Sequence, residues 1–250
     1  MLPQFYVDDL IKTALTEDIN YIDTTTDLMI PETARTKARF VAKADGVLCG
    51  LEVALRVFRL LDDTVQVTVH IPEGADVHKG DLIAEFEGYT RALLKGERTA
   101  LNLLQHMSGV ATATREAVEL VKGTRAAITD TRKTLPGMRA LQKYAVTVGG
   151  GKNHRFNLSD GAMLKDNHID AAGGIPQAVA QIRGRLGHMV KLEVETRDLH
   201  EVKQALDAGA DVIMLDNMSC EDMAQAVQLV NGRALLEASG GITAATLRAV

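Results

Sequence analysis

The sequence predicts an α/β fold in which an N-terminal α/β (α+β) domain is followed by an incomplete (β/α) barrel. Beyond Gly123, short apolar runs alternate with amphipathic stretches, a rhythm that is typical of parallel βα units. Polar residues follow each run, as they do at the carboxyl ends of barrel strands. The second half of a 250-residue chain holds only part of a barrel, because each of the eight units takes about 30 residues.

Composition excludes several classes of protein. The chain has 28 Lys and Arg against 33 Asp and Glu, a formal net charge of −5, and 46% hydrophobic residues, which are ordinary values for a globular protein. Cys49 and Cys220 lack CxxC spacing, which excludes a disulfide scaffold and favours a reducing compartment. The N-terminus has no secretory pattern and no apolar run approaches the roughly 20 residues of a membrane span. We therefore expect a cytoplasmic protein without a membrane segment.

In the first half, apolar residues at helical intervals predict helices over residues 7–17, 51–61, 97–107 and 110–121. Alternation of apolar and polar residues predicts strands over residues 36–44, 65–71 and 82–86. Polar residues 88–96 are expected to form a boundary, and Ser108-Gly109 to interrupt the following helix. The predicted domains are an N-terminal α/β domain, residues 1–108, and an open α/β barrel domain, residues 109–250.

In the second half, apolar runs predict strands over residues 126–129, 162–164, 190–194, 212–215 and 234–236, with helices over 199–208 and 222–230. The carboxyl ends of parallel strands meet at one edge of a sheet. We therefore expect the polar residues that follow these runs to contribute to a single site.

The charge of the chain is uneven. Residues 130–168 contain seven basic and three acidic residues, so this segment carries +4 and the remainder carries −9. A basic segment in an acidic chain favours a pocket for a small anion over a nucleic-acid surface. The alternative is a solvated charged face, and Arg139 and Lys143 in particular, on a helical pattern, are expected to be solvated.

Four basic residues near the strand ends suit phosphates or carboxylates, and they are Arg132, Lys133, Arg155 and Lys165. Glu195 and Asp216 end successive strands, where paired carboxylates bind Mg²⁺ or stabilise a developing cation. Ser239-Gly240-Gly241 is expected to open a helix from Ile242 and to bind phosphate at its N-terminus. His154 and His168 are not spaced for zinc, and we expect them to make hydrogen bonds instead.

Six segments carry a family resemblance, and they are ERTALNLLQHMSG (97–109), TDTRKTLPGMRALQKYAVTVGGGKNHR (129–155), MLKDNHI (163–169), LEVET (192–196), IMLDN (213–217) and EASGGI (237–242). Together they resemble nicotinate-nucleotide pyrophosphorylase, also called quinolinate phosphoribosyltransferase. The resemblance implies a type II phosphoribosyltransferase, with an α/β N-terminal domain beside an incomplete barrel. It also implies that quinolinate and phosphoribosyl pyrophosphate give nicotinate mononucleotide, pyrophosphate and CO₂ in NAD biosynthesis.

The resemblance further implies roles for individual residues. Glu195 and Asp216 would stabilise the oxocarbenium-like ribosyl centre, directly or through Mg²⁺, while Lys133 and Lys165 would neutralise phosphate groups. Arg132, His154 and Arg155 would hold the quinolinate carboxylates. Arg98 would reach into the neighbouring subunit's site, in a homodimer or a higher oligomer. The other residues assigned to substrate binding are Thr131, Asn167, His168, Ser239, Gly240 and Gly241.

Two alternatives remain open at this point. One is a paralogue on the same scaffold, either nicotinate-using or associated with molybdenum transport; the other is a non-catalytic barrel module. The chain stops at Val250 within a predicted helix, where members of the resembled family continue with a further strand and a phosphate loop. We therefore expect a chain that is shortened at its C-terminal end.

Overall fold

The computed structural model describes residues 2–250, which form two compact units that divide between His154 and Arg155. We call residues up to 154 the N-terminal unit and residues 155–250 the C-terminal unit. The domain boundary predicted at residues 108 and 109 lies within a helix of the N-terminal unit, and that division stays a prediction.

The N-terminal unit combines helices with small antiparallel sheets. Its helices are α1 (Gln4–Asp18), α2 (Thr24–Met29), α3 (Leu51–Leu61), α4 (Thr90–Leu120) and α5 (Arg139–Val148). Its strands are β1 (Arg35–Val41), β2 (Gly46–Val47), β3 (Gln66–Val69), β4 (Asp76–Val77) and β5 (Leu82–Tyr89). One antiparallel sheet has the order β1-β5-β3, and β2 pairs with β4. The bounds predicted for α1, α3, β1, β3 and β5 are confirmed to within a few residues.

The core of this unit lies between the three-stranded sheet and α3. Phe40 of β1 and Phe86 of β5 pack against Phe58 of α3, with ring centroids 4.8 to 6.0 Å apart. All three rings are buried. The alternation that predicted the strands places these rings on one face, and the helical spacing of α3 directs its apolar residues onto that face.

Helix α4 runs unbroken for 31 residues, so the boundary predicted at 88–96 and the break predicted at Ser108-Gly109 are wrong. Gly96 is where the helix passes close to Phe58, since a Cβ there would lie 2.9 Å from that ring. The Ser108 hydroxyl accepts from Cys49 N at 3.0 Å and donates to Cys49 O at 3.1 Å. These residues interrupt the apolar pattern because they contact neighbouring backbone and rings, which local periodicity does not record.

The C-terminal unit is a four-stranded parallel sheet in the order β6-β7-β8-β9 with helices between the strands. The strands are β6 (Ala162–Leu164), β7 (Leu192–Thr196), β8 (Val212–Asp216) and β9 (Leu235–Ser239). The helices are α6 (Asp166–Ala172), α7 (Ile175–Arg183), α8 (Leu199–Asp207) and α9 (Cys220–Val230). Fully buried Leu192, Val194 and Ile213 lie in its core, and the predicted βα repeat is confirmed.

Two predicted elements are not formed. Residues 126–129 make an isolated parallel bridge between Thr129 and Lys152 rather than a strand, and Ala126 and Ala127 are exposed. Residues 242–250 form turns rather than the predicted helix. Gly240 and Gly241 both have positive φ angles, of 91° and 63°, a conformation that glycine adopts readily in turns. No helix between residues 2 and 250 is both long and apolar enough to cross a bilayer.

Candidate active site

The N-terminal unit contains a buried ion pair and the two residues bonded to it, which we call the Asp130 cluster and define as Asp130, Lys143, Asn153 and His154. The Asp130 carboxylate accepts hydrogen bonds from Lys143 Nζ, from Asn153 Nδ2 at 2.5 Å and from His154 N at 2.9 Å. Lys143 Nζ also donates to His154 O at 3.1 Å. The side chains of Lys143 and Asp130 are 2% and 7% exposed.

The expectation that Lys143 is solvated is therefore wrong. Helix α5 buries Lys143 as well as Ala140, Leu141 and Ala145, so the lysine does not face water. A charged side chain is buried in this way only when an opposite charge and hydrogen bonds compensate it. Asp130, which supplies that charge, precedes the predicted binding residues directly in the sequence, so its position was a usable signal. Arg139 is half-buried, and its Nε donates to Thr134 Oγ1 at 3.1 Å.

Thr131, Arg132 and Lys133 form a compact turn immediately after Asp130. Lys133 N donates to Thr131 Oγ1 at 2.9 Å, and Thr134 N donates to Arg132 O at 2.9 Å. The side chains of Thr131 and Lys133 are on the exposed side of this turn. Arg132 Nε is buried and has no hydrogen-bond partner among residues 2–250. A buried unpaired guanidinium N–H costs about 1–3 kcal/mol, and such a group is expected where an anionic ligand supplies the acceptor.

Arg98, another predicted site residue of this unit, lies on α4 with an exposed side chain. Its position leaves the guanidinium accessible from solvent. His154, by contrast, is half-buried, and its backbone N–H and carbonyl are both held within the Asp130 cluster.

In the C-terminal unit, strand register brings Lys165 and Glu195 together. Leu164 of β6 pairs with Val194 of β7, so the residues that follow them, Lys165 and Glu195, lie near each other at the carboxyl edge. Lys165 Nζ lies 3.4 Å from Glu195 Oε2, with side chains 50% and 16% exposed. The half-exposed ammonium is accessible to a ligand, whereas the carboxylate is largely enclosed.

Asp216 and Ser239 continue the same edge across the sheet. These two residues pair in the register of β8 and β9, and Glu195 pairs with Met214, two residues before Asp216. At or next to the carboxyl ends of the four successive strands therefore lie Lys165, Glu195, Asp216 and Ser239. The predicted site residues of the C-terminal unit lie at one edge of the sheet because its strands are parallel.

Asn217 holds Asp216 in place, and the sequence reasoning did not single it out. Its backbone is left-handed, with φ of 54°, and its N–H donates to Ser239 O at 2.8 Å. Its side-chain Nδ2 donates to Asp216 Oδ2 at 2.9 Å. A Cβ at Gly240, where φ is 91°, would overlap the Asn217 amide. The adjacency of Asn217 to Asp216 was the available signal.

His168 and Arg155 hold backbone groups in this unit. His168 Nδ1 accepts from Lys165 N at 3.0 Å, so its imidazole fixes the start of α6. Asn167 precedes it with an exposed side chain, and its N–H donates to Asp166 Oδ1 at 2.7 Å. Arg155 Nη1 donates to Gly161 O at 2.8 Å. Ser239, Gly240 and Gly241 do not form the predicted helix N-terminus, so a phosphate there would be bound by loop N–H groups instead.

The donor set of Glu195 and Asp216 is compatible with Mg²⁺, because carboxylate oxygens are its preferred protein ligands. Each carboxylate already has a partner, namely Lys165 for Glu195 and Asn217 for Asp216. The two residues therefore suit an ion that keeps most of its water and phosphate ligands, rather than one enclosed by protein.

Two family models match nearly the whole chain. "Quinolinate phosphoribosyl transferase, N-terminal domain" matches residues 23–108, and "Quinolinate phosphoribosyl transferase, C-terminal domain" matches residues 110–250.

Curated relatives and solved structures agree with these matches. The chain is 46% identical over 233 residues to the probable nicotinate-nucleotide pyrophosphorylase (carboxylating) of Bacillus subtilis (strain 168), covering 93% of this chain and 80% of that protein. A similarly named Synechocystis protein is 43% identical, with 99% and 85% coverage. The structure of NadC from Streptococcus pyogenes superposes with a TM-score of 0.96 at 45% identity, covering 99% of this chain and 88% of that one.

A further solved structure extends the likeness. It is that of nicotinate-nucleotide pyrophosphorylase from Francisella tularensis, with a TM-score of 0.94, 40% identity and coverage of 100% of this chain and 88% of that one.

Proposed function

The chain belongs to the quinolinate phosphoribosyltransferase family, and on this premise we propose how its residues divide the family's reaction. It is a decarboxylating phosphoribosyltransferase of NAD biosynthesis. Quinolinate and phosphoribosyl pyrophosphate are joined to give nicotinate mononucleotide, pyrophosphate and CO₂.

The observation that carries the proposal is the Lys165–Glu195 pair, 3.4 Å apart, at the carboxyl edge of the parallel sheet. When the bond from ribose C1 to pyrophosphate breaks, the electron pair leaves with pyrophosphate and positive charge develops on the ribosyl group. The largely enclosed Glu195 carboxylate would stabilise that charge. The half-exposed Lys165 ammonium would donate to phosphate oxygens and offset their negative charge.

Asp216 would act beside Glu195 on the ribosyl group. Its Oδ2 accepts from Asn217, and its Oδ1 has no donor among residues 2–250. That oxygen is therefore available to accept from a ribose hydroxyl. Mg²⁺, when bound, would supply positive charge that weakens the bond to the departing pyrophosphate, and Glu195 and Asp216 are the residues that would hold it.

Arg132, His154 and Arg155 would hold the quinolinate carboxylates. Arg132 has a buried Nε without a hydrogen-bond partner among residues 2–250, and a carboxylate of the ligand would supply the missing acceptor. Lys133, on the exposed side of the same turn, would pair with phosphate. Once the ring nitrogen is ribosylated and positively charged, it can accept the electron pair of the adjacent C–CO₂⁻ bond. That bond then breaks, CO₂ leaves and the ring carbon takes up a proton.

The direct test is a purified-protein assay with carboxyl-labelled quinolinate, phosphoribosyl pyrophosphate and Mg²⁺. We expect stoichiometric release of pyrophosphate and labelled CO₂, and loss of turnover when EDTA removes the metal. Turnover with nicotinate but not with quinolinate would instead identify a nicotinate-using paralogue. Absence of turnover with either acid would favour a non-catalytic module.

We also propose a homodimer in which Arg98 completes the partner subunit's site, supported by the exposed position of Arg98 on α4. Co-expression of Arg98→Ala and Glu195→Gln chains tests this. Half of the dimers formed at random are hybrids, each with one unaltered site, so about a quarter of wild-type activity should return. Activity no higher than that of either variant alone would contradict a shared site. The two free cysteines further support a reducing, cytoplasmic location.

A further inference from the structure

Lys143 and Asp130 form a buried ion pair that the reaction as assigned does not use. Their side chains are 2% and 7% exposed, and Lys143 is among the largest fully buried side chains of the described chain. Burying an ion pair often contributes less to stability than an apolar pair of similar size would. The presence of the pair therefore calls for an explanation other than stability.

The pair joins three separate segments of the N-terminal unit. Asp130 lies just after the bridge between Thr129 and Lys152, where Asp130 N donates to Lys152 O at 3.1 Å. Its carboxylate then binds Lys143 of α5 and the backbone N–H of His154. The ammonium of Lys143 returns a hydrogen bond to His154 O. His154 is consequently held at both of its backbone polar groups by one ion pair.

The same contacts define where the Thr131–Lys133 turn begins. The carboxylate of Asp130 accepts hydrogen bonds from Lys143 Nζ and from His154 N. Residue 130, from which the turn starts, is therefore held in place. The turn is closed internally by Lys133 N on Thr131 Oγ1 at 2.9 Å. Its far end is tied to α5, because Arg139 Nε donates to Thr134 Oγ1 at 3.1 Å. Arg132, with its buried unpaired Nε, is thus carried on a segment anchored at both ends.

The charges of the pair matter as well as its hydrogen bonds. Asp130 is adjacent in the chain to a turn whose Arg132 and Lys133 are proposed to bind anions. An uncompensated carboxylate at that point would repel those anions, and the effect is strong where water is excluded. Lys143 cancels this charge from inside the unit, without exposing a further cation to the ligand.

We propose that Lys143, acting through Asp130, is a positioning residue that sets the geometry of Arg132 and His154 for the carboxylates of the acceptor acid. This inference rests on the proposed function of those two residues. It makes Lys143 a determinant of acceptor affinity although it is sealed from solvent.

The test is the double variant Asp130→Asn/Lys143→Met, which removes both charges with little change in volume, so that no unpaired charge is buried. We expect its free energy of unfolding to stay near the wild-type value, since such replacements are often neutral or stabilising. The KM for quinolinate and the calorimetric Kd of quinolinate should each rise by about 10- to 100-fold, as expected of misplaced binding groups. Wild-type quinolinate affinity in a stably folded double variant would overturn the inference.

Asn153→Ala is the second variant, and it tests the positioning role of the ion pair if the double variant does not fold. Asn153 is exposed, and its Nδ2 donates to Asp130 Oδ2 and to Lys143 O. Its removal leaves the ion pair intact but loosens it, and we expect a rise in the quinolinate KM of about 3- to 10-fold. An unchanged KM would overturn the inference.

A matched control and a check on the premise complete the experiment. The surface pair of Lys203 and Asp207 has a 2.6 Å separation and both side chains are more than half exposed, so Lys203→Met/Asp207→Asn should leave the KM unchanged. Failure of the wild-type protein to turn over quinolinate would contradict the proposed function. Wild-type turnover with an unaffected double variant would contradict only the positioning role of Lys143.

Discussion

The amide of Asn217 occupies the space in which any side chain at residue 240 would lie, so Asn217 and Gly240 are matched to each other at the carboxyl edge of the parallel sheet. Asn217 can remain there because its left-handed backbone, with φ of 54°, turns its side chain toward Asp216. Strained conformations of this kind persist where the surrounding structure determines them, and they are frequent at functional sites. The pair thus links the loop after β9 to a proposed catalytic carboxylate.

Gly240→Ala should lower kcat/KM for phosphoribosyl pyrophosphate by about 10-fold or more, because a Cβ displaces the Asn217 amide that orients Asp216. Steady-state kinetics and urea unfolding together check this. The matched control is Gly209→Ala, where φ is 85° but nothing lies within 4 Å of a Cβ. Both variants should lose about 1–2 kcal/mol of stability from the left-handed alanine, whereas only Gly240→Ala should lose activity. Equal activities would show that the contact with Asn217 is unimportant.

Glu195→Gln and Lys165→Met should each lower kcat by about 10²- to 10³-fold, the usual cost of removing one charge-stabilising group from an active site. Single-turnover measurement of pyrophosphate release gives this value directly. Glu195→Gln should preserve the fold, because Lys165 is half exposed and remains solvated when its partner is neutral. Lys165→Met leaves the largely enclosed Glu195 carboxylate without that partner, so its free energy of unfolding is measured beside its kcat. Lys203→Met, at an exposed ion pair outside the sheet edge, is the control and should be neutral. Rates within threefold of wild type would remove these two residues from the mechanism.

One thiol per native chain should react with a thiol reagent, and it should be that of Cys220. Cys49 is fully buried, whereas Cys220 is exposed. Burial raises the pKa of the Cys49 thiol, and the nearby Glu73 carboxylate raises it further. Because the thiolate is the reactive form, Cys49 should react only after the chain unfolds. Cys220→Ser should therefore abolish labelling of the native protein, and rapid labelling of two thiols would contradict this arrangement.

Asp62 should contribute to stability at neutral pH and lose that contribution in acid. Burial alone would raise the pKa of its carboxyl, but hydrogen bonds from Thr64 and from Tyr89 N outweigh that effect and hold the pKa below its usual value. Because the folded-state pKa is the lower one, the stabilisation is present above about pH 4 and is lost as the pH falls through the folded-state value.

Asp62→Asn should consequently lower the free energy of unfolding by about 1–3 kcal/mol at pH 7 and flatten its decline in more acidic solution. Urea unfolding at a series of pH values measures both effects. Asp63→Asn is the control, since Asp63 is exposed beside a buried neighbour. A variant with the same acid dependence as wild type would show that another carboxylate accounts for it.

Much of the fold follows from local pattern, because burial of one face imposes a period on the sequence. The bounds of α3 were predicted to the residue, and those of β6 likewise. The parallel order of β6 to β9 and the placement of Lys165, Glu195 and Asp216 at one edge follow from the βα repeat. In each of these cases a short segment contains the information that decides its own structure.

The features that were missed depend on contacts distant in the chain. The burial of Lys143 depends on Asp130, which lies 13 positions earlier, and a lysine among alanines otherwise indicates a solvated position. The continuity of α4 through Ser108 depends on the backbone of Cys49, 59 positions away. The role of Asn217 depends on a left-handed backbone and on the absence of a side chain at Gly240. No local periodicity reports such relationships.

The buried ion pair of the Asp130 cluster also has a consequence for how the chain folds. Burying either charge is unfavourable unless the other charge is already beside it. Removing one partner of a buried pair costs about 3–5 kcal/mol. A collapsed chain in which α5 is rotated by one residue would bury one charge alone, and it would be disfavoured by an amount of that order. Lys143 and Asp130 therefore favour one orientation of α5 about its axis over the alternative orientations. The folded unit has this orientation before any ligand binds.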